Sequence, residues 1–193
     1  MRSCTRFLRD QSGATLVEYT LVFTLMMVLT FGLIEFGLAF YQYNAAEKAT
    51  AIGARFLATR GPVVTGLGDC APANTNASSA GTYCSTIGGS TGAITTCSAS
   101  APSGGCQAAV LNALVARMQQ FAPNIEAQNV QVQLRGAGLG FVGRGSPVPL
   151  ITVRLTGMTY DFVALDDLLG FSPITMPAFD ATIVGEDLNG AGA

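Results

Sequence analysis

Gly13-Ala14-Thr15-Leu16-Val17-Glu18-Tyr19 runs without a break into Thr20-Leu-Val-Phe-Thr-Leu-Met-Met-Val-Leu-Thr-Phe-Gly-Leu-Ile-Glu35-Phe-Gly-Leu-Ala-Phe40, and this stretch decides what the chain builds. Between Thr20 and Phe40 it carries one charge, Glu35. A helix needs about 20 mainly apolar residues, at about 1.5 Å each, to cross a bilayer. The run meets that length. Charges inside such a segment are costly and usually serve a purpose. Glu18 at the start and Glu35 near the end therefore require explanation.

Downstream, nothing breaks the helix until Gly61-Pro62. Tyr41–Thr59 is Ala-rich and free of proline, and Phe36, Phe40, Tyr43, Ala49, Ile52 and Phe56 recur every three or four positions. One helix is expected from about Ala14 to about Thr59, apolar all round in its first half and amphipathic in its second. At about 100° per residue, Gly32, Glu35 and Ala39 share one face. Two readings of Glu35 follow: a contact with another subunit's helix on that small-residue face, which would make it an assembly residue, or a carboxylate near the outer interface that reaches water.

Upstream, residues 1–13 read MRSCTRFLRDQSG, with Arg2, Arg6 and Arg9 ahead of the apolar run. These favour a cytoplasmic N-terminus, although Lys48, Arg55 and Arg60 follow the span. An ordinary secretory signal has a shorter apolar region with its cleavage site after it. Here the small-residue step Ser12-Gly13-Ala14 precedes the run. A cut there leaves the apolar helix on the mature protein.

Five cysteines are present. Cys4 lies in the basic tail, and Cys70, Cys84, Cys97 and Cys106 fall in a Gly/Ser/Thr-rich stretch. None forms the C-x2-C knuckle of a zinc ribbon, so no metal is expected. Four cysteines beyond a span fit two disulfides in an oxidising compartment, which places the C-terminal side outside the cytoplasm. Three pairings are possible. Cys70–Cys84 with Cys97–Cys106 is favoured because it closes short loops.

The sequence Gly13-x-x-x-x-Glu18-Tyr19 resembles the processing motif of Flp/Tad-type pilins and TadE-like pseudopilins. Leu33-Ile-Glu35-Phe-Gly-Leu-Ala-Phe-Tyr41-Gln-Tyr43-Asn44-Ala-Ala, then Gly53-Ala-Arg55, is similar to the TadE-like signature that follows it. The resemblance implies a bacterial minor pilin or pseudopilin of a Tad-type pilus and secretion system. A prepilin peptidase would cut between Gly13 and Ala14. Glu18 would then pair with the new amine of a neighbouring subunit, a plausible arrangement because a carboxylate in apolar surroundings needs a cation. Tyr19 sits beside it, either in assembly or as an interfacial aromatic anchor. The implied partners are the peptidase, other pilins or pseudopilins, an inner-membrane assembly platform and the lipid bilayer. The implied location is the inner membrane, single-pass, with the C-terminal domain periplasmic or extracellular.

Composition agrees with a subunit that buries itself against lipid or other chains. Of 193 residues, 49% are hydrophobic and 11% charged, so nonpolar surface far outweighs charge. There is no histidine, which removes Ser-His-Asp and Cys-His nucleophile systems. Removing residues 1–13 takes Lys+Arg from 10 to 7 and Asp+Glu from 12 to 11, so the formal charge moves from −2 to −4. It also leaves an even four cysteines. Neither charge suggests nucleic acid as a partner, and no cofactor is expected.

The rest of the chain divides into a Gly/Ser-rich disulfide loop, 61–106, and a globular domain, 107–193. Short strands fit Gly81–Ser85 and Gly92–Cys97 inside the loop. Gln107–Phe121 has helical spacing ended by Pro123. Val130–Leu134, Leu150–Tyr160 and Ala178–Val184 read as strands, Gly136–Gly145 as a Gly-rich hairpin region, and Asp166–Leu169 as a short helical turn. Asp161, Asp166 and Asp167 cluster, as do Glu186 and Asp187, but calcium-loop spacing is absent. The expected fold is α+β and pilin-like: the long helix and a second helix on a small antiparallel sheet, with a disulfide-stapled loop. The expected function is that of a non-catalytic assembly subunit. The alternative is a permanently membrane-anchored binding or adhesion module whose cysteine loop is the working surface.

Overall fold

A long helix, α1 (Ser12–Ala58), runs 47 residues without a proline. The computed structural model describes residues 12–60, 63, 94–102, 105–139 and 148–185. The leader residues before Ser12, Cys70, Cys84, the strand expected at 81–85, Gly140–Gly145, Glu186 and Asp187 lie outside the described residues. After α1 come β1 (Ile94–Ser98), α2 (Ala108–Gln119), a 3-10 turn (Ala127–Asn129), β2 (Val130–Leu139), β3 (Val148–Leu155), β4 (Thr159–Tyr160), α3 (Ala164–Leu169), β5 (Ile174–Thr175) and β6 (Phe179–Val184). The fold is α+β and pilin-like, as expected. The chain forms two compact units, Met1–Tyr41 with Tyr160–Ile174 and Gln42–Thr159 with Thr175–Ala193.

In the larger unit the sheet order is β1-β2-β3-β6, antiparallel throughout. Four strands form it rather than the three expected from residues 107–193, because Ile94–Ser98 pairs with Gln131–Arg135. The alternation of Val130-Gln-Val-Gln-Leu134 sorts the two faces. Val130, Val132 and Leu134 are fully buried, as are Ile151, Val153 and Leu155 on β3. The opposite face is polar. Thr152 and Thr182 share a 2.8 Å hydroxyl contact, and Arg154 and Asp180 sit directly opposite each other in the β3–β6 register. The strand expected to run from Leu150 to Tyr160 stops at Leu155, and Gly157 follows with φ +71, a backbone conformation that side chains resist. Asn129 donates to the carbonyls of Thr156 and Gly157 and holds that bend.

The second half of α1 and α2 supply the helical layer. The apolar stripe expected at Tyr43, Ala49, Ile52 and Phe56 is shifted: the fully enclosed positions are Ala46, Ala49, Thr50, Gly53, Ala54, Leu57 and Ala58. Tyr43, Ile52 and Phe56 are half-buried along its edge. Small residues let the helices approach closely. A Cβ on Gly53 would lie 3.1 Å from both Leu114 Cδ1 and Met118 Sδ, tighter than ordinary contact. Leu111, Leu114, Val115 and Met118 of α2 complete the core with Leu57, Val63 and Ile125. Tyr43 meets Phe179 edge-on, ring centres 4.9 Å apart.

Cys97, the fourth residue of β1 and fully buried, is bonded to Cys106, just ahead of α2. This is one of the two pairings favoured from spacing. The bond closes a loop of nine residues' separation. Loop-closure entropy makes a crosslink of that size worth about 2–3 kcal/mol. The Cys97→Ala/Cys106→Ala double variant of the full-length protein in detergent should have an unfolding free energy lower by that amount, seen as a lower denaturant midpoint. An unchanged midpoint would show that the bond does not constrain the unfolded chain.

Arg154 Nε and Nη2 donate to the two carboxylate oxygens of Asp180, each at 2.7 Å, and both side chains are about 40% exposed. This hydrogen bond holds the Asp180 carboxyl below its ordinary value, with burial opposing and the Arg154 charge assisting. A carboxyl depressed in the folded state stabilises fully above the unfolded value, about 3.9, and loses that contribution as pH falls through the folded one. The stability difference between the native protein and Asp180→Asn should therefore be small and constant near neutral pH. It should shrink below pH of about 4 and diminish in high salt, since the pair is exposed. A difference that grows on acidification would contradict the pairing.

Candidate functional site

The smaller unit holds the first half of α1 and the segment Tyr160–Ile174. From Leu16 to Tyr41 most large apolar side chains stand in the open: Leu16, Leu21, Leu25, Leu29, Leu33 and Tyr41 are all at least 60% exposed. A soluble fold would not leave such a face uncovered. Gly13–Ala58 is long and apolar enough to cross a membrane. Three of its threonine hydroxyls are satisfied within the helix. Thr20 Oγ1 donates to Val17 O at 2.8 Å, Thr24 to Thr20 O at 2.7 Å, and Thr30 to Met26 O at 3.0 Å. That is how hydroxyls are accommodated where water is absent.

Gly13 and Ala14 lie in the first turn of α1 and are exposed. A Cβ at Gly13 would meet nothing within 4 Å. The fold itself therefore gives no reason for glycine here. Glu18 is exposed one turn further on, and Tyr19, 68% exposed, stacks at 6.0 Å on Phe23.

Glu35 is different. It is 7% exposed and accepts three backbone N–H groups. Val163 N and Ala164 N donate to Oε1 at 2.8 and 2.5 Å, and Leu165 N donates to Oε2 at 3.1 Å. These are the orphan donors at the start of α3. The residue at the N-cap is Val163, which makes no side-chain cap bond. Glu35 supplies the cap from more than a hundred residues away, and its negative charge suits the positive end of the helix dipole. Gly32 lies one turn below, where a Cβ would come to 3.9 Å of Leu165 Cδ2. Phe162, 4% exposed, is ringed by Phe36 at 5.5 Å, Tyr160 at 5.2 Å and Phe171 at 5.9 Å. So the small-residue face of Gly32 and Glu35 does receive another helix, and it is the chain's own α3.

Of the other expected site residues, Cys97 and Cys106 are bonded to each other within the larger unit. Tyr160 is buried, and burial raises its phenol above the ordinary value, with the Glu35 charge adding to that. Among the described residues no three His, Cys, Asp or Glu side chains gather as a metal-binding group. The sequence reading missed the Glu35–α3 cap. Its available signal was a short helix opening on Val-Ala, with no Ser, Thr, Asp or Asn at the N-cap to close it.

Residues 13–55 match the TadE-like protein family. The match starts at Gly13, covers Glu18, Tyr19 and Glu35, and ends at Arg55 in the Ala-rich half of α1. It agrees with the resemblance carried by Gly13-x-x-x-x-Glu18-Tyr19 and by the Ile34–Ala46 stretch. It therefore lies wholly on the helix that leaves its apolar face uncovered. No curated protein and no solved structure matches the chain.

Proposed function

We propose that this chain is a minor pilin or pseudopilin of a Tad-type pilus, anchored in the bacterial inner membrane by α1. The observation that carries the reading is the coincidence of two features on one helix. The TadE-like match covers 13–55, and the same helix exposes an apolar surface long enough to cross a bilayer. In this reading the role is structural rather than catalytic. Residues 1–13 hold the precursor with its N-terminus in the cytoplasm, and a prepilin peptidase cuts between Gly13 and Ala14. The new amine at Ala14 becomes the cation for a neighbour's Glu18, and Tyr19 lies beside that contact. The apolar face then exchanges lipid for the helices of other pilins at the assembly platform. Thr20, Thr24 and Thr30 need no change of partner in that exchange, because each bonds its own helix. The larger unit lies outside the cytoplasm, where the Cys97–Cys106 bond persists.

The mature N-terminus tests this. Mass spectrometry of the protein purified from membranes should find Ala14 as the first residue, with no Cys4. An intact Met1, or a cut beyond Phe40, overturns the assembly reading. An intact Met1 with a ligand lost on reducing the disulfide would instead favour the permanently anchored binding module.

A further inference from the structure

We infer that Tyr160–Ile174 is a membrane-interfacial element: its exposed apolar residues dip into the outer boundary of the same bilayer that α1 spans, and lipid is their occupant. The inference rests on the membrane reading of α1 given above. It assigns to this segment a contact that the TadE-like match at 13–55 does not reach.

The segment leaves Val163, Leu168, Leu169, Phe171 and Ile174 between 43% and 74% exposed. On a helical wheel at about 100° per residue, Leu165 points at α1, Leu168 and Leu169 flank it within about 60°, Asp166 lies at the edge of that face and Asp167 on the far side. So α3 is amphipathic, yet half of its apolar face is uncovered. Isolated surface leucines need no explanation, but this patch adjoins an uncovered apolar helix.

Its place along α1 identifies what covers it. Glu35 and Gly32 hold α3 at fixed positions on the helix. With Glu18 at the cytoplasmic boundary, helix rise puts Gly32 about 21 Å and Glu35 about 25 Å further on. The hydrocarbon core is about 30 Å thick. α3 therefore sits about 5–9 Å inside the opposite boundary, the depth at which amphipathic helices lie in a membrane interface. At the same level of α1, Leu38 is exposed about 60° round the helix from Glu35, and Ile34 is exposed about 100° round it on the same side. The patch and these exposed α1 side chains therefore stand at one depth.

The cap has a purpose in that setting. A bare carboxylate at this depth is expensive. So is a helix start with unsatisfied N–H groups. Each removes the other's cost, which allows a polar chain segment to enter the boundary. Asp166 at the edge of the apolar face and Asp167 on the far face limit how deep it can go.

The chain contains no tryptophan, so single tryptophans report depth cleanly. Leu168→Trp and Leu169→Trp occupy exposed positions and leave the packing of Leu165 and Phe162 intact. Leu29→Trp, 65% exposed on α1, marks the membrane interior. Each full-length variant is placed in phosphatidylcholine vesicles with bromines either near the glycerol end or near the chain end of the acyl groups. A tryptophan amide in the buffer sets the zero. Bromines near the glycerol end should lower the emission of Leu168→Trp and Leu169→Trp by about twofold or more, as expected for an interfacial helix. Leu29→Trp should respond most to bromines near the chain end. If Leu29→Trp is quenched while the other two behave like the free amide, α1 spans but the inference fails. If none is quenched, the span reading falls and takes the inference with it. Blue-shifted but unquenched emission at 168 and 169 means that protein covers the patch, and overturns lipid as the occupant.

Discussion

Replacing Glu35 by Leu should release α3 from α1 without harming membrane insertion. The two effects separate because they have opposite signs. Leucine suits a lipid-exposed helix better than glutamate does, so insertion of α1 is expected to be undiminished. The cap, however, disappears. Val163, Ala164 and Leu165 each lose the acceptor for their N–H, at 2.8, 2.5 and 3.1 Å in the native chain. Buried donors left without partners cost far more than an average hydrogen bond is worth. Hydrogen exchange on the full-length protein in lipid nanodiscs should show the amides of 163–169 exchanging on the order of 10- to 100-fold faster. The amides of Val130–Leu134, in the other unit, should be unaffected. Glu35→Gln keeps one carbonyl oxygen as acceptor but turns an NH2 towards the donors, so it should fall between. Unchanged protection in Glu35→Leu would mean that the Phe162 cluster and Leu165 hold the segment by themselves.

Most of the architecture could be read from the sequence, and the reasons are physical. α1 was legible because Thr20–Phe40, a proline-free apolar run with one charge, has few other fates, and no proline follows until Pro62. β2 was legible because Val130, Val132 and Leu134 alternate with Gln131 and Gln133, and the pleat sends them to opposite faces. The buried stripe of α1 was misplaced because large residues were taken as its markers. Close packing against Leu114 and Met118 selects small ones, Ala46, Ala49 and Gly53, while Phe56 is left at the rim. β1 was read as a strand but assigned to the loop, because four or five residues in a Gly/Ser-rich stretch do not announce a sheet partner. Its partner, Gln131–Arg135, lies more than thirty residues away.

The site was legible in a different proportion. Gly13, Ala14, Glu18 and Tyr19 form a local motif, and local motifs survive in sequence. Glu35 was singled out by its cost and its small-residue neighbours as a residue for contact with another subunit, and the helix on that face here is the chain's own α3. Its partner was not readable. Three backbone N–H groups have no sequence signature, and the pairing joins residue 35 to residues 163–165. The absence of a local cap at Val163 points to some remote acceptor without naming it.

Gly13→Ala should leave the fold intact and stop the chain from maturing. Alanine is favoured over glycine within a helix by about 1 kcal/mol, and its Cβ meets nothing within 4 Å at this position. The chain itself has no objection to the methyl group, so any consequence must come from what reads Gly13 from outside. A peptidase pocket shaped to glycine has no room for it, and one extra carbon in a tight pocket slows a reaction by about 10- to 200-fold. In cells, most of the variant should persist at precursor mass with Met1 or Arg2 first. Arg2, Arg6 and Arg9 then stay attached, no amine appears at Ala14, and Glu18 lacks the cation that cleavage would create. Pilus assembly should fall with processing. Glu18→Gln is the contrast: it should be cut normally and still assemble poorly, because the amine forms but meets a neutral side chain. Normal maturation of Gly13→Ala would sink the processing assignment. Normal assembly of a correctly cut Glu18→Gln would leave that assignment standing and remove the charge pair from the assembly step.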